Sequence, residues 1–310
     1  MSQVPMLDAA TVQRVLDMPG LIAALAEAFA AGAEVPLRHH HPVAVPERKA
    51  GMLLLMPAWQ PGGLMGVKIV TVFPDNGHDG LASVQGSYLL MSATTGVPLA
   101  MIDGRMLTLR RTAAASALAA SHLARPDAAT LVMVGTGALI PHLIEAHRSI
   151  RPITRTLVWG RDPAKAAALA ATVGAEVAVD LAAAVAEADI VSAATLSSDP
   201  LIQGVWLKPG AHVDLVGGFT PSMREADDEA IRRAAVFVDT RVGAMHEAGD
   251  ITQPLANGTL APSAVRAELA ELVRGAPGRT AADQITLFKS VGTAIEDLAA
   301  AALAHRRHLG

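Results

Sequence analysis

Three cationic residues among the first 111 could bind a carboxylate. Lys68 stands among branched apolar residues in the segment 66–73, where a buried ammonium is costly unless a partner or a substrate carboxylate balances its charge. Arg38 follows a proline-containing segment, and Arg111 opens a helix pattern. Each of the three, taken singly, is more often a structural or surface cation than a ligand contact. Their interpretation as a site depends on whether the fold brings them together.

A glycine motif after an apolar run could bind a dinucleotide. Its residues are Gly135, Thr136, Gly137, Ala138 and Leu139. Such a run predicts a strand that turns sharply into a helix, whose free N–H groups can hold a pyrophosphate. Pro141 stands where a Rossmann fingerprint has Gly or Ala, and proline is tolerated in a first helical turn.

The end of the next strand pattern bears on the choice of dinucleotide. The strand pattern 156–159 is followed by Gly160 and Arg161. The first residue after the strand is therefore not a carboxylate that could bind a ribose diol. Arg161 offers a planar guanidinium suited to a 2′-phosphate, while Asp162 precedes a proline and is predicted to cap a helix. We predict NADP as the preferred cofactor. NAD, with Arg161 as a solvated loop cation, remains the alternative.

Neither a metal site nor a hydrolytic site is predicted. His39, His40 and His41 are consecutive, and successive strand residues point to opposite faces, so the three cannot all ligate one ion. The chain has no cysteine, which excludes disulfides and thiolate ligands. No serine stands in a Gly-x-Ser-x-Gly pattern.

Length and composition indicate a globular protein of two domains. Of the 310 residues, 51% are hydrophobic and 17% are charged, which suits well-buried layers. A net charge of −4 gives no reason to expect a nucleic acid or an anionic membrane as partner. Residues 1–5 lack a signal-peptide pattern and no stretch is apolar enough to span a bilayer, so we expect a cytoplasmic protein.

The secondary-structure patterns that must position these residues differ between the first third of the chain and the rest. The first third shows strand patterns separated by turn residues, which predicts an antiparallel or mixed sheet with an edge strand within 35–45. After a helix at 110–124, strands alternate with helix patterns, as in the βαβ units of a parallel sheet. A long helix over 281–305 is expected to pack on the first domain.

The predicted fold is α/β, with a Rossmann-type parallel-sheet domain and a strand-rich α+β domain. The dinucleotide-binding Rossmann domain is predicted at 113–284. The strand-rich domain is predicted to comprise 1–112 and 285–310.

The chain resembles the ornithine cyclodeaminase/mu-crystallin family in motifs that follow one another along nearly its whole length. These are Val35-Pro36-Leu37-Arg38, Met56-Pro57-Ala58, Lys68-Ile69-Val70-Thr71, Leu107-Thr108-Leu109-Arg110-Arg111-Thr112-Ala113-Ala114, Lys208-Pro209-Gly210-Ala211-His212, Arg224-Glu225-Ala226-Asp227-Asp228, Glu247-Ala248-Gly249-Asp250-Ile251 and Phe288-Lys289-Ser290-Val291-Gly292. Their colinear order is far more specific than a Gly-x-Gly turn alone.

The resemblance implies a homodimer whose strand-rich domain forms both the interface and the substrate pocket, with the Rossmann domain closed over that pocket. By match to the motifs, Arg38, Lys68 and Arg111 are the cations that hold the carboxylate of a small amino acid or imino acid. The residues implied to meet the cofactor are Gly135 to Leu139, Arg161, Thr195, Leu196 and Val216.

Phe219 departs from the family pattern. Ornithine cyclodeaminases carry a catalytic aspartate just after a strand-end Gly-Gly pair, where this chain has Phe219. A phenyl ring cannot act as an acid or a base, so we expect Phe219 to form a pocket wall.

The expected activity therefore resembles that of the family's cyclic ketimine reductase branch. An NAD(P)H-dependent enzyme would reduce pyrroline-2-carboxylate or piperideine-2-carboxylate to proline or pipecolate. The alternatives are an ornithine or lysine cyclodeaminase that uses another carboxylate, an open-chain amino-acid dehydrogenase, and a non-catalytic NADP-binding protein like mu-crystallin.

Overall fold

The computed structural model describes residues 4–309, and the chain divides into two compact units. The first is Met1–Arg111 with Thr293–Gly310, and the second is Thr112–Gly292. Residues 1–3 lie outside the described residues. They are part of the segment 1–5 that was considered above as a signal peptide. None of the described helices is long and apolar enough to cross a membrane.

The first part of the described chain is rich in strands. In chain order it contains β1 (Met6–Leu7), α1 (Ala9–Val15), α2 (Met18–Ala31), β2 (His39–Val43), β3 (Gly51–Trp59), β4 (Leu64–Val72), a 3-10 helix (Pro74–Asp79), β5 (Val84–Ser92), β6 (Pro98–Asp103) and α3 (Gly104–Leu123). Asp8 and Asp17 begin α1 and α2 by accepting hydrogen bonds from the first-turn N–H groups of Thr11 and Gly20.

Strands and helices then alternate. The elements are β7 (Thr130–Val134), α4 (Ile140–Ile150), β8 (Arg155–Trp159), α5 (Pro163–Val173), β9 (Glu176–Val177), α6 (Leu181–Glu187), β10 (Ile190–Ala193), a 3-10 helix (Gly204–Trp206), β11 (His212–Leu215), α7 (Asp228–Arg233), β12 (Ala234–Val238), α8 (Arg241–Glu247), α9 (Gly249–Ala256), a 3-10 helix (Pro262–Ala264), β13 (Val265–Glu268), α10 (Leu269–Val273), β14 (Ile285–Lys289) and α11 (Ala294–Leu309).

The first unit contains a mixed sheet with the strand order β1-β6-β5-β4-β3-β2. Strands β2 to β6 pair antiparallel in sequence order, and β1 joins β6 in parallel. The prediction of an edge strand within 35–45 is confirmed, because β2 is the last strand of this order. Since side chains alternate between the faces of a strand, Lys68 of β4 points to the opposite face from Val67 and Ile69.

Helix α11 covers the face of this sheet that carries Lys68. It packs on β3 and β4 and also contacts α2. Tyr88 and Leu90 of β5 are buried on the same face. Glu296 and Asp297, in the first turn of α11, therefore lie among buried sheet residues.

The second unit contains a parallel sheet with the strand order β13-β12-β14-β11-β10-β7-β8-β9. All of its pairings are parallel. The predicted βαβ alternation and α/β fold class are confirmed. The central strands lack polar alternation because both of their faces are buried, as in β7 and β10.

The prediction of one helix over 281–305 is wrong. Residues Ile285–Lys289 form β14, which pairs with β11 and β12 in the middle of the parallel sheet, and α11 begins only at Ala294. The β-branched and aromatic residues of this stretch suit a buried strand, and Gly292 has a positive φ of 79° that interrupts the chain before α11. The chain therefore returns to the first unit at Thr293 instead of 285.

Candidate active site

A buried group of charges occupies the first unit, and Asp297 lies at its centre. The Asp297 Oδ2 atom is 2.7 Å from the Lys68 Nζ, and its Oδ1 accepts a hydrogen bond of 3.0 Å from the Arg111 Nε. The Arg111 Nη1 donates to the Glu296 Oε2 at 2.7 Å. All four side chains are at most 6% exposed. A strand, helix α3 and helix α11 therefore bring together two cations and two carboxylates.

Burial and the carboxylate of Asp297 shift the pKa of Lys68 in opposite directions. Burial lowers the pKa of Lys68 to about 8, and the positive charges of Arg111 and Arg38 add to this effect, whereas Asp297 opposes it. Burial alone would raise the pKa of Asp297, but Lys68 and Arg111 hold it below its ordinary value. At neutral pH Lys68 is therefore still an ammonium and Asp297 a carboxylate.

Arg38 is half-buried and lies close enough for its charge to lower the pKa of Lys68. The structure therefore brings together the three cations singled out from the sequence. Lys68 and Arg111 are paired with the carboxylates of Asp297 and Glu296, and the positive charge of Arg38 lies within electrostatic range of Lys68. A group of cations of this kind can bind the carboxylate of a small ligand.

Glu296 and Asp297 were missed by sequence reasoning. The signal that could have found them is the acidic pair in an apolar helix pattern, since acidic residues are seldom buried without partners. Tyr88 was missed as well. Its hydroxyl is buried without a hydrogen-bond partner among the described residues, and burial, then the charge of Asp297, raises its pKa well above the ordinary value, so the phenol is neutral.

The turn after β7 has the backbone form that a pyrophosphate site needs. Gly135 has a φ of 128°, and a Cβ there would come within 2.8 Å of the Ala194 carbonyl oxygen. At Gly137 a Cβ would meet nothing within 4 Å, so the backbone is open to a ligand. No side chain caps the start of α4. The Ile140 N–H donates to the Gly137 carbonyl oxygen at 3.1 Å and Pro141 has no N–H, so a phosphate would be held mainly by the N–H groups of the turn before the helix. The local structure thus fits a dinucleotide phosphate.

The loop after β8 leads into the capped start of α5. The Asp162 Oδ1 accepts hydrogen bonds from the N–H groups of Ala164 at 3.0 Å and Lys165 at 3.2 Å, so its predicted role as the cap of α5 is confirmed. Arg161 is exposed, and within residues 4–309 no hydrogen bond or ion pair engages its guanidinium. A Cβ at Gly160 would come within 2.5 Å of the Thr136 Cγ2, so these two turns are in close contact.

Two further loops follow β10 and β11 at the same carboxyl edge of the sheet. Thr195 is half-buried and Leu196 is 70% exposed in the first loop. Val216 is buried and Phe219 is 46% exposed in the second. The Glu225 side chain, which sequence reasoning did not single out, binds backbone groups of both loops.

The histidines of β2 form no metal site. Among the described residues, no group of three His, Cys, Asp or Glu side chains could hold a metal ion. His39 and His41 lie on one face of this exposed edge strand with their ring centroids 6.2 Å apart.

The chain belongs to the ornithine cyclodeaminase/mu-crystallin family, whose profile matches residues 3–310. It is similar to a Δ1-pyrroline-2-carboxylate reductase of Paracoccus denitrificans, with 42% identity over 80% of this chain and 81% of the relative. It is also similar to the structure of Thermococcus litoralis Δ1-pyrroline-2-carboxylate reductase with NADH and L-proline, with a TM-score of 0.90 and 33% identity over 99% of this chain and 98% of that one. An archaeal alanine dehydrogenase dimer with bound NAD has a TM-score of 0.89 and 28% identity, over 99% of this chain and 96% of the other.

Proposed function

We propose that this protein is an NAD(P)H-dependent reductase of a small cyclic imino acid, of the pyrroline-2-carboxylate or piperideine-2-carboxylate type. The products would be proline or pipecolate. The observation that carries this proposal is the buried pair of cations Lys68 and Arg111, with the charge of Arg38 within electrostatic range of Lys68, because neighbouring cations suit a ligand carboxylate. The similarity to two pyrroline-2-carboxylate reductases supports the choice of substrate class.

Lys68 and Arg111 can bind a carboxylate without giving up their protein partners. The Lys68 ammonium has three N–H donors and forms an ion pair with a single carboxylate oxygen, the Asp297 Oδ2 at 2.7 Å, so it can also meet a ligand carboxylate. The guanidinium of Arg111 has five N–H donors, of which Asp297 and Glu296 accept two. Because both carboxylates hold the cations in place before a ligand binds, little reorganisation would accompany binding.

The turn residues Gly135 to Leu139 would hold the pyrophosphate of a nicotinamide dinucleotide, which when bound supplies a hydride from its nicotinamide C4. Gly160, Thr195, Leu196 and Val216 would complete the contacts at the carboxyl edge. NADP is our preferred cofactor because the exposed Arg161 can bind a 2′-phosphate. NAD is the alternative, and the related structures hold NADH and NAD.

Phe219 favours reduction over deamination. It occupies the sequence position of the family's catalytic aspartate, and a phenyl ring can neither transfer a proton nor pair with the second ammonium of ornithine. The imine nitrogen of a cyclic imino acid is itself basic and can enter the reaction already protonated. A protein acid is then not required for hydride addition.

A homodimer is part of the proposal. One row of side chains runs across the sheet face opposite Lys68, and the paired residues are Met6, Met101, Leu89, Val67 and Pro57. Met6 is 74% exposed and Ile69, on the same face, is 36% exposed. An apolar face of this kind is typical of a surface that a partner covers.

The test is a panel of substrates and cofactors. Pyrroline-2-carboxylate and piperideine-2-carboxylate are each supplied with NADPH and NADH, and absorbance at 340 nm is followed. Steady, substrate-dependent oxidation of the dinucleotide is expected. Two results would refute the proposal, and in both neither imine is reduced. If ornithine then yields ammonia, the protein is a cyclodeaminase. If pyruvate with ammonia is reduced instead, the protein is an open-chain dehydrogenase.

A further inference from the structure

One buried carboxylate joins the two loops at the carboxyl edge of the second unit. The Glu225 Oε1 accepts hydrogen bonds from the Thr195 N–H at 2.7 Å and from the Thr195 hydroxyl at 2.9 Å. Its Oε2 accepts a hydrogen bond of 2.8 Å from the Gly217 N–H. Each oxygen therefore binds a different loop, the first after β10 and the second after β11.

Two other buried charges hold Glu225 in place. The Asp250 Oδ1 of α9 accepts hydrogen bonds from the backbone N–H groups of Glu225 at 2.8 Å and Ala226 at 3.1 Å. The Lys289 Nζ, at the end of β14, is 3.0 Å from the Asp250 Oδ2 and 3.8 Å from the Glu225 Oε2. Lys289, Asp250 and Glu225 are fully buried, so Glu225 has little freedom to take another position.

The glycine pair before Phe219 lies directly on this cluster. A Cβ at Gly217 would come within 2.0 Å of the Thr195 carbonyl oxygen and 2.6 Å of the Glu225 Oε1. A Cβ at Gly218 would come within 3.0 Å of the Asp250 Oδ2. Only glycine lets the backbone approach this closely, so the position of the loop that carries Phe219 depends on the carboxylates beneath it.

We propose that Glu225 is a positioning residue for the dinucleotide, because it fixes the loops of Thr195 and Gly217 in the arrangement that binds the cofactor. Asp250 and Lys289 keep Glu225 in that arrangement. This inference rests on the dinucleotide site proposed above, where Thr195, Leu196 and Val216 are cofactor contacts. It adds a residue that acts on the cofactor through its neighbours.

The role requires the ionised carboxylate. N–H donors face both oxygens of Glu225, so a proton on either oxygen would point at a donor and release one loop. Burial raises the pKa of Glu225 to about 7; the Asp250 carboxylate reinforces this shift and Lys289 opposes it. Arg224, the residue before Glu225, forms an ion pair with Asp228 and donates a hydrogen bond to the Ala226 carbonyl oxygen. The hydrogen bonds that connect both loops to Glu225 are therefore lost as the pH falls through about 7.

The experiment compares the wild type with Glu225→Gln and with Asp189→Asn. The glutamine places an N–H₂ against one loop and so imitates the protonated acid at every pH. Asp189 is the matched control, because its Oδ2 likewise accepts two backbone hydrogen bonds, from Ala129 and Thr130 at 2.9 Å each, but at the amino end of β10. The Kd of NADH is measured by calorimetry at pH 6 and pH 8. NADH is chosen because the 2′-phosphate of NADPH itself titrates near pH 6.

For the wild type we expect the Kd of NADH to be about tenfold higher at pH 6 than at pH 8, since only about a tenth of Glu225 is ionised one unit below its pKa. Glu225→Gln should have a Kd about tenfold above the wild type at pH 8, with little further change at pH 6. Asp189→Asn should keep the wild-type Kd and its pH dependence. Hydrogen exchange of the unliganded wild type should show the Thr195 and Gly217 amides losing protection below pH 7.

Three outcomes would refute different parts of the reasoning. If the wild type binds neither NADH nor NADPH, the dinucleotide site itself is refuted. If it binds NADH but Glu225→Gln shows the same Kd and the same pH dependence, only the positioning role of Glu225 is refuted. If Glu225→Gln does not fold, the wild type alone still tests the positioning role of Glu225. That role is refuted if the hydrogen-exchange protection of the Thr195 and Gly217 amides is the same at pH 6 and pH 8.

Discussion

Replacing Lys68 by methionine isolates the contribution of its charge to substrate binding. Methionine keeps most of the apolar stem and removes the ammonium, while Arg111 still partners Asp297 through a hydrogen bond of 3.0 Å. A hydrogen bond between charged groups contributes about 1.5–3 kcal/mol. We therefore expect the KM for the imine to rise by about 10- to 150-fold, with a much smaller change in kcat because the group holds the carboxylate in both the ground state and the transition state.

The pH dependence supplies a second measurement of the same interaction. The pKa of Lys68 is lowered to about 8, so the ammonium is present below that pH and is lost above it. Binding of pyrrole-2-carboxylate to the complex with dinucleotide should weaken in the wild type as the pH rises from about 7 to about 9. The ring nitrogen of this analogue does not titrate in that range. Lys68→Met should bind the analogue weakly and equally at both values.

The matched control is Lys165→Met, because Lys165 is an exposed lysine of the second unit. It should leave the KM for the imine and its pH dependence unchanged. Circular dichroism and the Tm distinguish lost binding from lost folding, since a buried partner of Asp297 is removed. An unchanged KM in a folded Lys68→Met variant would refute the role of Lys68 as a carboxylate anchor.

Three further predictions concern other parts of the molecule. Arg161→Ala should raise the KM for NADPH about tenfold and leave that for NADH unchanged in steady-state assays; equal effects on both would contradict the 2′-phosphate contact. Ile69→Glu should yield monomers in light scattering, whereas Val179→Glu, at a position 93% exposed in the second unit, should not. Burial lowers the pKa of His212 to about 3 from 6.5, so the unfolded chain takes up a proton first and the free energy of unfolding should fall by roughly 3 kcal/mol between about pH 6.5 and pH 4 in urea titrations. A His212→Gln variant with the same slope would refute this assignment.

Local patterns predicted much of the fold. The alternation of apolar strands with helix patterns after residue 124 indicated the parallel sheet, because strands buried on both faces and crossover helices have distinct periodicities. Asp162 before a proline indicated the start of α5, because both residues act within one turn. The final helix was misjudged, since β14 is a short apolar run that periodicity cannot distinguish from a buried helix.

The candidate site was only partly predictable. Lys68 stood out because an ammonium among branched apolar residues needs a partner. Its partner Asp297 lies on the last helix of the chain, and no local pattern links two residues so distant in sequence. Glu225 is likewise recognisable only once the fold places the loops of Thr195 and Gly217 on either side of it.

The sequence by itself determined where most of the strands, the cap at Asp162 and the glycine turn lie and which family the chain resembles, because these depend on residues close to one another along the chain. Only the tertiary structure decided which carboxylates meet Lys68, Arg111 and Lys289. It also decided that the charge of Arg38 lies within electrostatic range of Lys68. Pairing between buried charges depends on distances of a few ångströms between elements that are far apart in sequence, and that proximity is created by packing.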